Sequence, residues 1–510
     1  MIMVITCVTF FIVIFLPYII VISYSFNIIH YFFTIGSFMS PSTLLTAVLL
    51  GGTATVSMAA DHGNHKHVYA DFPITVSGYA GKATTSEKYT GQIARHTLHN
   101  SLKKLSAKGN GSANAELKAQ LLSYYEGKDK GRAIIDPKTK GDFVVKQTQV
   151  DEISKGKNLA GKTYNGIVSG WPGNMTGSEA LQFMIDKASV ANKGYDPLTG
   201  YNYTQLISKF AMGAVFYNQA VDKYLDESLS AKKNPNDKPY KKDTAYTGKE
   251  HVWDEAFGYF GAPAHTLKLT AKDVYNIAKK KPEAMAKADY NNDGVVDLVT
   301  EMTYAHAYYA AGFDKSGKTK YLHTIVQAFI DGRELITQAK GKALTDKQRA
   351  ELVAYADIIA TQWEKVIAEA VFKYAGSTYK DLQKLKATVE SNGDAAAIFE
   401  KYAKHWGEMK GFSLALQTGK KNLGETAVKL NRLIGFSPVL LGNTQVSGLD
   451  AEGNYIQSSS ESLEGYMLHM LKVQKLMVDQ FAVEARANDA LAGLKGLADK
   501  LGSGNSAEND

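Results

Sequence analysis

Cysteine is almost absent from the 510-residue sequence. The single cysteine, Cys7, lies in the apolar N-terminal stretch and is not preceded by a lipoprotein-type pattern. The chain that follows it therefore has no disulfide, no thiolate metal ligand and no cysteine nucleophile. If this chain is exported, it must be stabilised by the size of its core alone.

Charge is also absent from the first sixty residues. Residues 1–38 are long and apolar enough to span a bilayer, and residues 39–59 end in small residues, Ser57 and Ala59, typical of an export cleavage site. The chain either begins with a membrane anchor or has a start assigned too early, with a signal peptide at about 39–59. No Lys or Arg flanks the upstream run to orient it, which favours the signal peptide. We therefore expect a bacterial periplasmic or secreted protein that begins near residue 61 and contacts a membrane only through an uncleaved leader.

No stretch interleaves basic and aromatic residues as a nucleic-acid-binding surface does. The 58 Lys and Arg residues are spread among 51 Asp and Glu residues and leave a net charge of +7. Hydrophobic residues at 45% and charged residues at 21% are typical of a globular protein. We expect no nucleic acid partner, and the length predicts at least two domains after the leader at 1–60.

Sustained alternation of apolar and polar residues is lacking, whereas apolar residues recur at helical spacing in segments such as 205–226, 352–370 and 467–481. This periodicity predicts an all-α protein made of helical bundles. Residues 126–176 show little periodicity and predict an irregular excursion, and the polar tail 502–510 predicts disorder.

A weak internal repeat divides these helices. Residues 253–259 and 406–412 both read Trp-x-Glu-x-x-Gly-aromatic. The repeat predicts two related helical bundles, which we assign to residues 61–320 and 345–501.

A histidine precedes the glutamate in both copies, four residues before it in His251 and Glu255 and three before it in His405 and Glu408. On a helix each pair shares one face, and imidazole with carboxylate suits zinc, iron, manganese or copper. Together with Asp254, these residues predict a divalent transition-metal site where the bundles face each other. The alternative is that each His and Glu forms hydrogen bonds within its own bundle while the tryptophans fill the core.

The peptidase pattern His-Glu-x-x-His is absent, and neither copy has the adjacent second histidine of the inverted pattern. A metal-dependent peptidase or other hydrolase, with Glu255 or Glu408 as the base, is therefore the less favoured alternative. We assign no catalytic residue. A third possibility is a calcium-stabilised module that binds a polymer or a protein through its many tyrosines and its mild positive charge.

Residues 289–301 resemble a calcium loop of the EF-hand type. Gly294 stands at the sharp turn, and Thr300 holds position 12, where a bidentate glutamate is expected, with the acid one residue later. The predicted oxygen ligands, with Val295 acting through its carbonyl, are Asp289, Asn291, Asp293, Val295, Asp297 and Glu301. A single loop of this type predicts structural calcium rather than a sensor.

Several segments together resemble family 4856 of the domains of unknown function. In order, they are residues 91–95, 200–219, 251–259 and the 289–301 loop. The resemblance implies an exported bacterial protein without an established activity. Many relatives are similar to lipoproteins, and this chain departs from that pattern because no cysteine follows its leader.

A more distant resemblance links the His/Glu elements to imelysin-like proteins, which carry Gly-x-His-x-x-Glu, form two helical bundles and are linked to iron uptake. Only His405 and Glu408 reproduce the His-x-x-Glu spacing, and Ala403 stands in place of the glycine. The resemblance implies a binding role for this site, with iron as the metal. Together with the calcium loop as a structural site, it leads us to expect a non-enzymatic protein that captures iron or a similar divalent metal, or hands it to a membrane uptake system.

Overall fold

The computed structural model describes residues 68–138 and 143–493. The predicted leader and the predicted tail lie outside these ranges. Helices dominate the described residues, with only two small strand pairs, so the prediction of an all-α protein is confirmed at this level.

The N-terminal half alternates short helices with irregular segments. Its elements are α1 (Thr90–Ser106), α2 (Ala115–Tyr125), α3 (Val150–Ile153), α4 (Gly177–Val190), β1 (Tyr195–Asp196), β2 (Tyr201–Asn202), α5 (Tyr203–Ala211), a π-helix (Met212–Tyr224), α6 (Gly248–Phe260), α7 (Ala271–Ala278) and α8 (Pro282–Ala288).

The C-terminal half contains the longer helices and a hairpin. Its elements are α9 (Ala305–Asp314), α10 (Tyr321–Gln338), α11 (Asp346–Glu390), α12 (Ala396–Leu416), α13 (Glu425–Ile434), β3 (Thr444–Leu449), β4 (Tyr455–Ser459) and α14 (Leu463–Phe481).

Threonine side chains begin several of these helices. Thr176, Thr247 and Thr345 each accept a hydrogen bond from the backbone three residues on, and the side chain at that position returns one to the threonine backbone. These capping boxes satisfy amide groups that the first helical turn leaves free. The starts of α4, α6 and α11 are therefore encoded locally.

Helix α11 runs for 45 residues and packs against α10, α12 and α14. Helices from both predicted bundles contact one another, since α5 packs against α12 and α9 packs against α11, and the described residues fall in one compact unit. The boundary between residues 61–320 and 345–501 stays a prediction. Within the described ranges no helix is both long enough and apolar enough to cross a bilayer.

The π-helix continues α5 and packs against α6 and α12. At its start, a Cβ on Gly213 would lie 2.3 Å from the Cβ of Ala415 on α12. Only glycine allows this approach of two helices. A π-helix of this length is uncommon, and such windings occur often at functional sites.

The positions shared by the two Trp-x-Glu-x-x-Gly copies serve packing. Trp253 and Trp406 are fully buried, and their indole groups donate to the Phe329 carbonyl at 2.8 Å and to the Tyr466 hydroxyl at 2.7 Å. A Cβ on Gly258 or Gly411 would lie under 3.0 Å from a neighbouring helix. The tryptophans and glycines of the repeat are thus explained by the core, and only its His and Glu residues need another explanation.

Candidate functional site

The first His/Glu pair lies on one face of α6. His251 Nε2 is 3.7 Å from Glu255 Oε2, and the rings of Tyr240 and Tyr246 enclose the imidazole at 3.9 and 5.2 Å between centroids. Burial lowers the pKa of His251, Glu255 opposes this effect, and nearby lysines lower the pKa further. The imidazole is therefore neutral near pH 7.

Cations surround the carboxylate of this pair. Glu255 accepts a 2.7 Å hydrogen bond from Gln92 of α1. Burial lowers the pKa values of Lys157 and Lys162, neighbouring Arg95 lowers them further, and the charge of Glu255 raises them. One carboxylate thus faces three basic side chains.

Asp254 points to a different place. It is fully buried and accepts hydrogen bonds from Arg333 Nε at 2.9 Å, from the Tyr69 hydroxyl at 3.0 Å and from the Lys88 backbone at 3.1 Å. Adjacent helical residues differ by about 100° around the axis, which separates Asp254 from the face that His251 and Glu255 share.

The second pair lies on α12, and each member has its own partner. His405 Nδ1 is 2.5 Å from Asp381 Oδ2 of α11, and Glu408 Oε1 is 3.8 Å from Lys209 Nζ of α5. Both side chains line the same cleft. His405 and Glu408 therefore form two separate polar contacts, one with Asp381 and one with Lys209, in the wall of the same cleft.

The two pairs have separate neighbours in the described structure. His251 and Glu255 contact α1 and the 240–246 segment, whereas His405 and Glu408 contact α5 and α11. Among residues 68–138 and 143–493, no three His, Cys, Asp or Glu side chains are grouped so that they could hold a metal ion. The transition-metal site stays a prediction.

The cleft beside the second pair is open and has a volume of about 700 Å³. Residues from α1, α5, α7, α9, α11 and α12 line it. Its acidic lining residues are Asp136 and Glu408. Its lysines are Lys103, Lys104, Lys209, Lys279, Lys373 and Lys404.

One of these lysines, Lys209, is buried, and two more, Lys103 and Lys373, are partly buried. Burial lowers the pKa of Lys209 well below the usual range of lysine, the charge of Lys103 lowers it further, and Glu408 raises it. Burial likewise lowers the pKa values of Lys103 and Lys373, again opposed by Glu408. The inner wall of the cleft therefore concentrates cationic groups around one carboxylate.

Sequence reasoning missed this cleft because its lysines come from distant segments, each with an ordinary local context. The one local signal was Lys209, which stands within the apolar stripe of a helix and is only 4% exposed. A lysine in such a position is seldom buried without a partner. That rule would have marked α5.

The 289–301 segment forms the tight turn that its sequence predicts. Gly294 has a φ of +84°, and the carboxylate of Asp289 accepts hydrogen bonds from the backbone of Asp293 and Gly294 at 3.1 and 2.9 Å. Glu301 reaches back with both oxygens, to the Tyr290 amide at 3.0 Å and the Asp297 amide at 2.7 Å. The acidic side chains thus converge on one loop backbone.

A neighbouring segment fixes this loop to the protein. Val296 is buried, and its backbone forms a bridge with residues 144–146, with N···O distances of 2.8 and 3.0 Å. Asp297 accepts hydrogen bonds from Gln147 at 2.8 Å and from Lys146 at 3.0 Å. The pairing of this segment with the loop is therefore a single β-bridge between Val145 and Val296.

Comparison with known proteins gives one family match. Residues 184–430, just under half of the chain, match the model of the family described as Domain of unknown function (DUF4856). This match confirms the resemblance drawn from the sequence segments. No curated protein and no solved structure matches the chain.

Proposed function

We propose that this protein is a non-enzymatic binding protein that holds an anionic ligand in the lysine-lined cleft. The observation that carries the proposal is the burial of Lys209, 3.8 Å from Glu408 and with Lys103 and Lys373 nearby, in a cleft lined by more lysines than carboxylates.

The lysine side chains of the inner cleft wall are poorly solvated. A buried ammonium costs free energy unless it is paired, and like charges at short range add to that cost. A carboxylate or phosphate group entering the cleft would offset both effects. The large opening supplies the room for such a ligand, and the lysines supply its recognition.

The test is isothermal titration calorimetry with citrate and with inorganic phosphate. Lys209→Met and Lys373→Gln are expected to weaken citrate binding by about tenfold or more. The double variant Lys420→Gln, Lys421→Gln is the matched control, since these lysines pair with Asp226 and Glu364 elsewhere on the surface. Absence of binding of both anions by the wild-type protein would refute the proposal.

Calcium at the 289–301 loop is the structural part of the proposal. The donor set fits a hard cation, because carboxylate, amide and carbonyl oxygens recur at alternate positions around Gly294. Lys146 stands 3.0 Å from Asp297 and would have to leave that oxygen when the ion binds.

Thermal melting with and without calcium tests this part. At a concentration a hundred times Kd, calcium should stabilise the protein by about 2.7 kcal/mol. Asp293→Ala should abolish that gain, while Asp237→Ala, which removes an exposed acid outside the loop, should preserve it. Equal calcium responses of all three proteins would show that the loop is only a turn.

A divalent transition metal at His251 and Glu255 is the second candidate function. The supporting observation is their 3.7 Å separation on one helical face, together with a buried His251 Nδ1 that has no hydrogen-bond partner among the described residues. Capture of iron for an uptake system, as the likeness to imelysin-like proteins implies, would then take place at this pair. Zinc or ferrous iron should raise the melting temperature of the wild type but not of His251→Ala, and equal shifts would reject this candidate.

A further inference from the structure

The lysine-lined cleft continues into a second cavity. A smaller space of about 170 Å³ shares Tyr275, Tyr308, Tyr309 and Lys373 with the larger one. The two spaces therefore have a common wall. A ligand bound at Lys209 can extend along this wall without leaving the protein surface.

The outer part of this wall carries its own cations. Lys315 Nζ lies 3.5 Å from the centre of the Tyr275 ring, and Lys279 Nζ lies 5.3 Å from that of Tyr308. Both lysines are exposed, and neither forms an ion pair with a carboxylate of the described chain. The lysines thus fall into an inner group at Lys209 and an outer group held over tyrosine rings.

Within the described chain, two buried polar atoms of residues that line the larger cavity lack the hydrogen-bond partners that a hydroxyl-bearing ligand would supply. Gln205 Oε1 and Thr303 Oγ1 have no hydrogen-bond partner among residues 68–138 and 143–493, although the residues are only 9% and 2% exposed. Both residues line the larger cavity. The Gln205 carbonyl oxygen requires a donor, which an ionised carboxylate does not provide, whereas the Thr303 hydroxyl can donate or accept; a sugar hydroxyl can serve both.

We propose that the cleft binds a linear acidic oligosaccharide, with one acid group at Lys209 and Lys373, sugar hydroxyls at Gln205 and Thr303, and a further acid group at Lys279 and Lys315. This inference rests on the proposed binding of anions in the cleft and deepens it by naming the ligand class. The shared chemistry is a polyhydroxylated chain with repeated negative charge.

Single-stranded nucleic acid fits the wall less well. Proteins bind it by offering free aromatic faces to successive bases. Here Tyr275 and Tyr308 stack on each other, with centroids 5.0 Å apart, and Lys315 covers Tyr275. The faces of these rings are occupied, and what remains at the surface are hydroxyl groups and ammonium groups.

The test is calorimetric titration of the protein with galacturonate, trigalacturonate and hexagalacturonate, and with neutral maltohexaose. Affinity should rise with the length of the acidic chain, and maltohexaose should not bind. The double variant Lys279→Gln, Lys315→Gln should weaken hexagalacturonate binding by about fivefold or more and galacturonate binding by about twofold at most, since Lys279 also lines the larger cavity. Lys272→Gln, Lys318→Gln is the matched control, because it removes equal charge from the same two chain segments outside both cavities.

The outcomes separate the two proposals. Equal affinity for monomer and hexamer, or an unchanged hexamer affinity in Lys279→Gln, Lys315→Gln, overturns the extended ligand while anion binding stands. Failure of citrate, phosphate and all galacturonates to bind overturns both. Tighter binding of an oligothymidylate than of hexagalacturonate would overturn the glycan and identify nucleic acid as the ligand. Tighter binding of a sulfated hexasaccharide would support a glycan ligand but identify its acid group as a sulfate.

Discussion

Two groups of buried charged side chains, one at Arg333 and one at Lys209, are compensated differently. Arg333 is fully buried, and its guanidinium donates to Asp254 at 2.9 Å, to Glu250 at 3.0 Å and to the Ser86 hydroxyl at 2.6 Å. In the cleft, by contrast, Lys209 lies 3.8 Å from Glu408, and six lysines line the cavity with two carboxylates, Asp136 and Glu408. The first group is closed and balanced, whereas the second is open and holds more lysines than carboxylates.

This difference separates stability from binding. A planar guanidinium with two carboxylates satisfies its donors within the fold, so the Arg333 group has nothing to offer a ligand. Ammonium groups with too few acceptors keep part of their interaction energy available. In the first group Arg333 already occupies the carboxylates, and in the second the lysines would repel a metal cation, so neither group resembles a transition-metal centre.

Arg333→Met should have the largest effect on stability. It leaves the buried carboxylates of Glu250 and Asp254 without their cation, which typically costs about 3–5 kcal/mol. Chemical denaturation followed by circular dichroism measures this loss. The matched control is Arg349→Met, whose partner Asp346 is exposed and whose loss should cost about 1 kcal/mol or less. A similar cost for both variants would remove the distinction between a closed buried group and a surface pair.

The pH dependence of citrate binding should follow the buried lysines. Burial lowers the pKa values of Lys103, Lys209 and Lys373, so some of them bind a proton when an anion enters. Affinity should therefore fall as pH rises through these lowered values, below the ordinary lysine pKa of about 10.4, by about tenfold per unit for each proton taken up. Glu408, Lys104, Lys279 and Lys315 also face these groups and shift the window.

Calorimetry in two buffers of different ionisation enthalpy measures that proton uptake directly. Lys209→Met should reduce it. An unchanged proton uptake in this variant would mean that a group other than Lys209 binds the proton when citrate enters. Lys209 would then not be the titrating lysine of the cleft.

Removal of the Glu408 carboxylate tests the same excess of lysines by taking away a negative charge instead of a positive one. Glu408→Gln should tighten citrate binding by about fivefold, because a like charge leaves the site. Glu364→Gln, which removes a carboxylate paired with Lys421 at 3.4 Å elsewhere, should leave the affinity unchanged. Weaker binding in Glu408→Gln would mean that this carboxylate accepts a hydrogen bond from the ligand.

The helices could be predicted where their signals are local. The start of α4 at Gly177 and the span of α14 to Phe481 follow from a capping threonine and from apolar spacing. The change from α5 to a π-helix at Met212 could not be predicted, because every residue from Met212 to Val221 is buried and no apolar stripe distinguishes the two windings. The hairpin of β3 and β4 was also missed, since its exposed residues do not alternate in polarity.

The candidate site was predictable only in part for the same reason. Spacing on a helix correctly gave the contact of His251 with Glu255. It could not give the partner of Asp254, since Arg333 is 79 residues away, nor the meeting of Lys209 with Glu408, which lie 199 residues apart. Charges that converge through tertiary packing leave no mark at a fixed spacing.

Lys209→Met should have the smallest effect on stability, although this lysine is nearly as buried as Arg333. Methionine preserves the volume of the side chain and removes an ammonium whose desolvation its one carboxylate does not fully offset. The loss of Lys209 leaves Glu408 near Lys103 and Lys373, so no buried charge is left isolated. We expect the free energy of unfolding to stay within about 1 kcal/mol of wild type, while citrate binding weakens by about tenfold or more. If Lys209→Met instead destabilises the protein as strongly as Arg333→Met, both groups hold the fold, and the cleft loses the excess charge on which its ligand depends.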